Sequence, residues 1–304
     1  MNLTSQYVAN PKSREVYLTS LAMYKAMRPS NAKLRLGDDR QILNDKKKYN
    51  FFEIDDIKFK MIQCPRGTFT MGASDLSDNP KRTVSINKPF LLGETEVTQE
   101  LFEKVMGFNP SGFQGKRYPN SNKKPVEQVS SYDAMMFCNK LSTRLGKEPY
   151  YNITNEIYGE KDETKNIKNA IVTINPHANG FRLPLAKEWE YASKAGTNNR
   201  WAGTNEKGKL GEVAWFGENC EINMRRQTHP IKGKRPNEWG FYDMSGNVYE
   251  WCWDKYKEES NRRIFRGGSW IHESTALRSD VHGYSSLGAV VDTVGFRISA
   301  SLFN

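Results

Sequence analysis

Three side chains near the carboxyl end of the chain have the chemistry of an acid–base or metal site. His272, Asp280 and His282 form the only closely spaced His/Asp group in the sequence. Catalysis or metal binding would need the three to converge, with further hydrogen bonds that orient them. Their sequence context offers no such support, so we interpret them as polar residues of an exposed loop.

Two glutamates and four widely spaced cysteines are the other reactive candidates. Glu188 and Glu190 are two positions apart in a predicted helix and point in different directions, which favours a surface role or buried hydrogen bonding over catalysis. The cysteines form no metal-binding motif. Cys138 falls in an apolar helical run and is predicted to be an inert buried thiol. A disulfide between Cys64 and Cys252 is left open.

The His/Asp group belongs to a long segment with an unusual pattern. Residues 266–270 (RGGSW) and 295–297 (GFR) bracket 24 residues, 271–294, that show neither strand alternation nor helical spacing. Only Val290 and Val291 resemble the start of a strand. The bracketing glycines predict tight bends, because glycine reaches positive φ without steric cost. An irregular run of this length is typical of a functional loop, and we call residues 271–294 the display segment.

Composition and charge limit the class of protein. A chain of 304 residues, 37% hydrophobic and 12% aromatic, is predicted to fold as one domain with an extension or as two domains. Residues 1–50 carry ten Lys/Arg against four Asp/Glu, so +6 of the net charge of +10 lies there. The remainder is nearly balanced, which favours a solvated surface over nucleic-acid binding. No apolar run is long enough to span a membrane, and residues 1–14 lack the apolar stretch of a signal peptide.

Short elements must position the display segment. Helical spacing is found in four stretches, 13–28, 100–106, 132–145 and 185–195. Thr98 is the predicted N-cap of the second stretch, and Gly107 and Gly146 are predicted to end the second and third.

Strand patterns are weaker than the helical ones. Residues 51–63 alternate as one half-buried strand, and strands are predicted on both sides of a loop between residues 69 and 92. Residues 150–180 are interpreted as a polar insertion. The fold class is therefore α+β, with two main helices, short strands and much irregular structure. We predict a basic, partly helical extension over residues 1–49 and a folded domain over residues 50–304.

Several segments occur in an order that is specific to one family. They are 69–72 (FTMG), 94–98 (ETEVT), 125–126 (PV), 182–184 (RLP), 188–192 (EWEYA), 237–251 (NEWGFYDMSGNVYEW), 266–270 and 295–297. The series resembles the formylglycine-generating-enzyme (sulfatase-modifying factor) domain, a variant of the C-type lectin fold, over about residues 55–300.

The resemblance implies an enzyme only if the reactive cysteines are present. Enzymes of the family use two cysteines just after the GGS(W/Y) segment to bind copper and activate oxygen, as thiolates suit a soft, redox-active metal. No cysteine lies between Trp270 and Gly295. We therefore predict a non-enzymatic ligand-binding protein without a catalytic cofactor. The alternative is a copper-dependent oxidase, or a related iron enzyme, with a displaced centre.

A second branch of the same fold comprises the variable proteins of diversity-generating retroelements, treponemal ones among them. A template Asn codon randomised at its two adenines cannot encode Lys, Glu, Gln, Trp or Met. These five types make up about a quarter of the chain, yet the display segment contains only Glu273. By resemblance, the variable region covers about 266–297, and twelve positions are predicted to vary: Ile271, His272, Thr275, Ala276, Val281, Gly283, Tyr284, Ser285, Ser286, Val291, Asp292 and Thr293.

The chemistry of these residues suits recognition, because tyrosine, serine and other adaptable polar side chains on a rigid base resemble an antibody paratope. Trp253 and Tyr256 are candidates for the rim of the site.

The resemblance also implies a possible structural calcium ion, since family enzymes hold calcium in the corresponding segment with hard oxygen ligands. The ligands here would come from Asp243, Gly246, Val248 and Glu250; otherwise Asp243 and Glu250 satisfy loop amides.

The partner predicted by the resemblance is an unidentified protein or cell-surface ligand, with display as a lipoprotein on a bacterial surface and a lipid anchor outside this sequence. A third hypothesis is a cytosolic nucleic-acid binder that uses the basic residues 1–50. We expect no nucleic-acid partner, because the charge of the folded domain is balanced.

Overall fold

A computed structural model describes residues 49–159 and 165–302, together with the backbone of Leu34–Arg35. Over these residues the helices are α1 (Gln99–Met106), α2 (Ser131–Arg144), α3 (Ala186–Lys194) and the short α4 (Leu210–Val213), with single 3-10 turns at Ser121–Lys123 and Lys207–Lys209. The predicted helix over residues 13–28 lies outside the described residues.

The strands are short and are divided among five sheets. In chain order they are β1 (Leu34–Arg35), β2 (Tyr49–Ile54), β3 (Ile57–Cys64), β4 (Gly67–Met71), β5 (Arg82–Ile86), β6 (Phe90–Gly93), β7 (Tyr151–Tyr158), β8 (Ile167–Ile174), β9 (Phe181–Arg182), β10 (Glu221–Ile222), β11 (Arg225–Arg226), β12 (Tyr249–Lys255), β13 (Arg262–Arg266), β14 (His282–Ser286), β15 (Val294–Gly295) and β16 (Ser299–Ser301).

One sheet of six strands has the order β1-β2-β3-β6-β16-β9, and one of four has the order β14-β13-β12-β15. The remaining pairs, β4-β5, β7-β8 and β10-β11, are two-stranded. Helices together with short, mostly antiparallel strands confirm the predicted α+β class.

Local sequence accounts for the helix ends. The Thr98 side chain accepts a hydrogen bond from the Leu101 amide at the start of α1, and Gly107 ends the helix in the left-handed region at φ 84°. Ser130 and Asp133 form a reciprocal capping box at the start of α2. Asp133 also accepts the Ile167 amide at 2.9 Å, so the cap of α2 holds the start of β8 as well.

Two strand predictions were wrong. Residues 51–63 are not one strand, because the chain turns at Asp55, which has φ 54°, and β2 pairs back on β3. The polar insertion predicted over residues 150–180 contains the hairpin β7–β8. Its Ile and Val residues are interrupted by Asn, Thr and Lys, so the alternation was obscured. The domain boundary near Tyr49 stays a prediction, although β1 pairs with β2 across it.

The main core lies between the six-stranded sheet and helices α1 and α2. Phe102 and Phe137 stack with 5.6 Å between ring centroids, and Phe296, from the GFR segment, packs edge-on against both. Trp251 is fully buried in the same cluster. The GFR segment therefore belongs to the core at the point where the display segment ends.

A buried ion pair joins the sheets. Arg297 and Glu250 are both fully buried, and the guanidinium donates to the two carboxylate oxygens at 2.5 and 2.6 Å. Glu250 also accepts from the Trp189 indole nitrogen of α3 at 2.6 Å. The same guanidinium donates to the carbonyls of Gly93 and Tyr242, both at 3.0 Å. One side chain thus connects β6, β12 and the loop that precedes β12.

All four cysteines are free and buried, so the structure contains no Cys64–Cys252 disulfide. Burial raises the pKa of the Cys138 thiol, as expected for an inert core cysteine. Within the described residues, none of the helices combines the length and the apolar character that crossing a membrane requires.

We expect Arg297→Met to lower the free energy of unfolding by about 3–5 kcal/mol, because it leaves Glu250 as an unpaired buried carboxylate. Urea denaturation would measure the loss. Arg66→Met, at an exposed position, is the matched control and should change the free energy by less than about 0.5 kcal/mol. The double variant Glu250→Gln/Arg297→Met should recover part of the loss. Equal free energies of unfolding for Arg297→Met and Arg66→Met would contradict this role of the Arg297–Glu250 pair.

Candidate functional site

The display segment leaves and re-enters one sheet. It follows β13, returns as β14 antiparallel to β13, and ends in β15, which is parallel to β12. The prediction of an entirely irregular run was therefore wrong, because His282–Ser286 is a strand. Val290 and Val291, which resembled the start of a strand, lie in the connection between β14 and β15.

Each end of the segment is held by a buried arginine. At the second end Arg297 pairs with Glu250, as described above. At the first end Arg266 pairs with Glu190 of α3 at 3.2 Å, and both side chains are almost fully buried. Arg266 also donates to the Ser279 carbonyl at 3.1 Å, so it fixes a second point within the display segment. Glu188 and Glu190 therefore engage in buried ion pairs, in agreement with the structural interpretation of these glutamates.

Six residues inside the display segment are buried anchors. Leu277 is fully buried beside Trp201 and Phe216. The Ser279 hydroxyl lies 2.8 Å from that of Ser193 on α3. Leu287 enters the main core. The complete set of buried positions is Ser274, Leu277, Ser279, Asp280, Leu287 and Val294.

The twelve predicted variable positions lie between these anchors, and none of them is buried. Six are exposed and six are intermediate. The exposed positions are Ile271, Thr275, Tyr284, Ser286, Val291 and Asp292, which lie in the three stretches 271–276, 281–286 and 291–293.

The intermediate positions are His272, Ala276, Val281, Gly283, Ser285 and Thr293. All buried residues of the display segment therefore fall among the positions that are not predicted to vary.

Aromatic contacts shape the surface around β14. The rings of Tyr284 and Tyr256 stack with 3.6 Å between their centroids, which places Tyr256 at the rim, as expected. Trp253, the other rim candidate, packs instead against Tyr151 at 5.2 Å. Gly283 is the most constrained of the twelve positions, since a Cβ there would lie 2.2 Å from the Phe265 ring. Any other residue at position 283 requires that ring to move.

The His/Asp group does not form a common site. His272 lies 2.6 Å from the Ser269 hydroxyl, and burial lowers its pKa. Asp280 pairs with Arg278 at 2.8 Å, and His282 faces Asp78 at 3.6 Å. Each side chain thus has a different polar partner.

The predicted calcium segment is engaged in protein contacts. Both oxygens of Glu250 accept hydrogen bonds from Arg297, and the Val248 amide donates to Glu96 at 3.1 Å. One oxygen of Asp243 accepts the Lys232 amide at 2.9 Å, and burial raises the pKa of this carboxyl to about 6. Gly246 is held through its amide by the Gly267 carbonyl at 2.8 Å. The other oxygen of Asp243 is buried and has no hydrogen-bond partner within the described residues. The Glu250 carboxylate is thus neutralised by arginine, and the calcium site stays a prediction.

A buried carboxyl group lies beside Phe113, whose ring packs against that of Trp270, the residue before the display segment. Glu127 accepts the Phe113 amide at 2.9 Å with one oxygen, and its other oxygen has no hydrogen-bond partner within the described residues. Burial raises the pKa of Glu127 to about 8. Burial also lowers the pKa of the neighbouring Lys124 to about 8, and its amine donates to Gln227 at 2.5 Å.

Sequence reasoning missed the loop that supports the display segment from outside. Asn79 donates to the Asp280 carbonyl at 2.7 Å, and Asp75 receives two hydrogen bonds from Arg278 at 2.7 and 2.9 Å. These partners are about 200 positions apart in the chain, so no local pattern could have identified them.

Comparison with known proteins identifies the class. Residues 55–302 match the family described as sulfatase-modifying factor enzyme 1-like domain, and the chain belongs to this family. The structure is similar to Treponema denticola variable protein 1, with a TM-score of 0.74 and 33% identity, covering 84% of this chain and 99% of that protein. The predicted C-type lectin fold, of the type found in retroelement variable proteins, is thereby confirmed.

Two sequence relatives carry other names. The chaperone protein LppX of Paenibacillus barcinonensis is 36% identical over 257 residues, 77% of this chain and 87% of that protein. The formylglycine-generating enzyme of Streptomyces coelicolor is 34% identical over 268 residues, 74% of this chain and 83% of the enzyme. One relative is thus named a chaperone and the other an enzyme. Membership of the family does not by itself make this chain an enzyme.

We expect the variant Thr275→Asn/Ser285→Thr/Val291→Ser/Asp292→Asn to change the free energy of unfolding by less than about 1 kcal/mol, because these side chains face solvent. The single variant Leu277→Asn should lower the free energy of unfolding by about 2–5 kcal/mol, because the substitution places an amide in a buried apolar site. Chemical denaturation compares the two. A larger loss in the fourfold variant would show that the display positions support the fold.

The buried Glu127 predicts a dependence of stability on pH. Its pKa in the folded protein, about 8, is above the ordinary value of 4.5, so the folded state retains a proton that the unfolded chain releases. This contribution to stability is fully present below pH 4.5 and is lost as the pH rises through 8.

We therefore expect Glu127→Gln to become more stable relative to the unchanged protein between pH 5.5 and 7.5, by more than about 1 kcal/mol. Urea denaturation at both pH values measures this difference, and Glu273→Gln, at an exposed position, is the control. Parallel pH profiles for Glu127→Gln and the unchanged protein would contradict the prediction.

Proposed function

We propose that this chain is a non-enzymatic ligand-binding protein whose binding surface is the display segment, diversified by a retroelement. The observation that carries the proposal is the match between exposure and predicted variability. All twelve predicted variable positions are at least partly exposed, whereas six of the other residues in the segment are buried anchors. A segment of this construction can change its surface chemistry without losing its attachment to the fold.

The similarity to the treponemal variable protein supports the same proposal. It covers 84% of this chain at 33% identity, so the likeness extends beyond the fold. The display segment combines tyrosine, serine and apolar side chains, which supply contact area and adaptable hydrogen bonds. Tyr284 on Tyr256 offers a rigid aromatic anchor of the kind that dominates binding energy at interfaces.

The positions of the cysteines support a non-enzymatic role. The display segment contains no cysteine, and the four thiols of the chain are buried. Burial raises the pKa of Cys64, Cys138 and Cys252, which disfavours the thiolates that copper requires. The residues present therefore do not fit the copper centre of the family's enzymes. Oxygen consumption with copper and a cysteine-containing peptide should equal that of a reaction without the protein; turnover would instead support the oxidase.

A second candidate function is that of a chaperone, favoured by the 36% identity to the protein named LppX. Suppression of the aggregation of an unrelated unfolded enzyme would support it. The fourfold display variant should then retain full chaperone activity, whereas under the main proposal it loses ligand binding.

The main proposal also includes display at a bacterial surface and no nucleic-acid partner.

Flanking genomic DNA provides a direct test of diversification. We expect a near-identical repeat of the variable region with adenine-rich codons at the twelve positions. Identity of the two copies at those codons would count against the retroelement.

A library tests the surface itself. Eleven of the twelve positions, all except the constrained Gly283, are randomised to the residues that adenine mutagenesis permits, and variants are selected for binding to two unrelated soluble proteins. We expect specific binders that unfold at the same denaturant concentration as the parent. The matched control library randomises eleven exposed positions elsewhere, on β4, β5, β7 and β8. Equal yields of binders from both libraries would contradict the assignment of the site.

A further inference from the structure

A polar pocket of about 680 Å³ lies beside the display segment. It is formed by the loop after β4, the residues that follow α3, and the residues Arg278 and Asp280 of the display segment. None of its lining residues is among the twelve predicted variable positions. The pocket is therefore a constant feature next to a surface that we propose to be variable.

The walls of the polar pocket are held by ion pairs and backbone hydrogen bonds. Arg278 donates to both oxygens of Asp75, at 2.7 and 2.9 Å, and to Asp280 at 2.8 and 3.1 Å. The Ser279 amide donates to the Arg200 carbonyl at 2.9 Å. Because these contacts join three separate parts of the chain, the shape of the pocket exists before any ligand binds.

Two cations in the lining give the pocket its charge. Lys81 and Arg200 are exposed, and within the described residues neither has a carboxylate oxygen within 4.0 Å of its charged nitrogens. Lys194 is different, because it donates to Glu190 at 2.8 Å and to the Thr70 carbonyl at 2.7 Å. The polar pocket therefore offers two cationic donors to an anionic group.

The remaining lining is rich in amides. Asn199 donates to Glu238 at 3.2 Å and keeps its carbonyl oxygen as an acceptor, while Asn205 accepts the Arg200 amide at 3.1 Å and keeps its two donors. Asn198 adds a further exposed amide. Amides exchange hydrogen bonds with hydroxyl groups, and the lining has no large apolar side chain that would anchor an apolar ligand.

We propose that the polar pocket binds an acidic sugar, a hexuronic acid or a related carboxylate-bearing monosaccharide. Lys81 and Arg200 would contact the carboxylate, and the asparagines would contact the hydroxyls. The volume exceeds that of a simple oxyanion, which favours a ligand with several hydroxyl groups. This proposal goes beyond the proposed function, because the residues that line the polar pocket lie outside the twelve predicted variable positions.

The test is a titration of the full chain with glucuronic acid, galactose or hexaglutamate, and isothermal titration calorimetry or ligand-observed NMR measures the binding. We expect glucuronic acid to bind, and galactose to bind at least about tenfold more weakly. Lys81→Gln/Arg200→Gln should weaken glucuronic acid binding at least about tenfold. Arg66→Gln/Lys88→Gln removes the same charge at exposed positions outside the polar pocket and should leave binding unchanged.

The proposal is overturned by an equal loss in both double variants, by equal binding of the two sugars, by preferential binding of hexaglutamate, or by no binding of glucuronic acid. The fourfold display variant separates this proposal from the proposed function. It should keep its affinity for glucuronic acid, because it leaves the lining of the pocket intact.

Discussion

Two buried Arg–Glu pairs determine where the display segment begins and ends. Arg266 pairs with Glu190, and Arg297 pairs with Glu250. A buried charge without a partner is costly, so each arginine must meet its glutamate for the chain to fold. Both glutamates lie outside the segment, one on α3 and one on β12. The ends of the segment are therefore set by the scaffold and do not depend on the residues between them.

The scaffold also reaches into the middle of the segment. Leu277 and Leu287 are buried in two different hydrophobic clusters, and Ser279 is held by α3. Three short stretches remain exposed between these points. Stability and surface chemistry are thus assigned to different residues of the same segment, which is the arrangement that a diversified binding surface needs. The anchors account for a stable frame, and under the proposed function the exposed stretches would account for recognition.

Much of the fold could be predicted from the sequence because its signals are local. The caps at Thr98 and Ser130 and the apolar face of α2 are encoded by residues three or four positions apart. The series of short motifs identified the family, and the resemblance to variable proteins placed the twelve predicted variable positions, all of which are at least partly exposed. The hairpin β7–β8 was missed because polar residues interrupt its apolar alternation.

Other parts of the site depend on contacts that no local pattern encodes. The pairing of Arg278 with Asp75 joins residues about 200 positions apart. The constraint on Gly283 arises from the Phe265 ring on the neighbouring strand. The pairing of Glu250 with Arg297 removes a carboxylate that the resemblance assigned to calcium. In each case the partner became evident only from the three-dimensional arrangement.

The hairpin β7–β8 has a consequence for how this surface can evolve. A Cβ at Gly288 would lie 2.1 Å from the Lys168 carbonyl, so the backbone of the display segment touches β8 directly. Together with the anchor at Leu277, this contact holds the segment on both sides of the stretch 281–286, so an insertion there would displace one of the two contacts. Antibody loops gain diversity partly by growing or shrinking. Under the proposed function, new specificities would instead arise here by exchange of side chains at constant chain length.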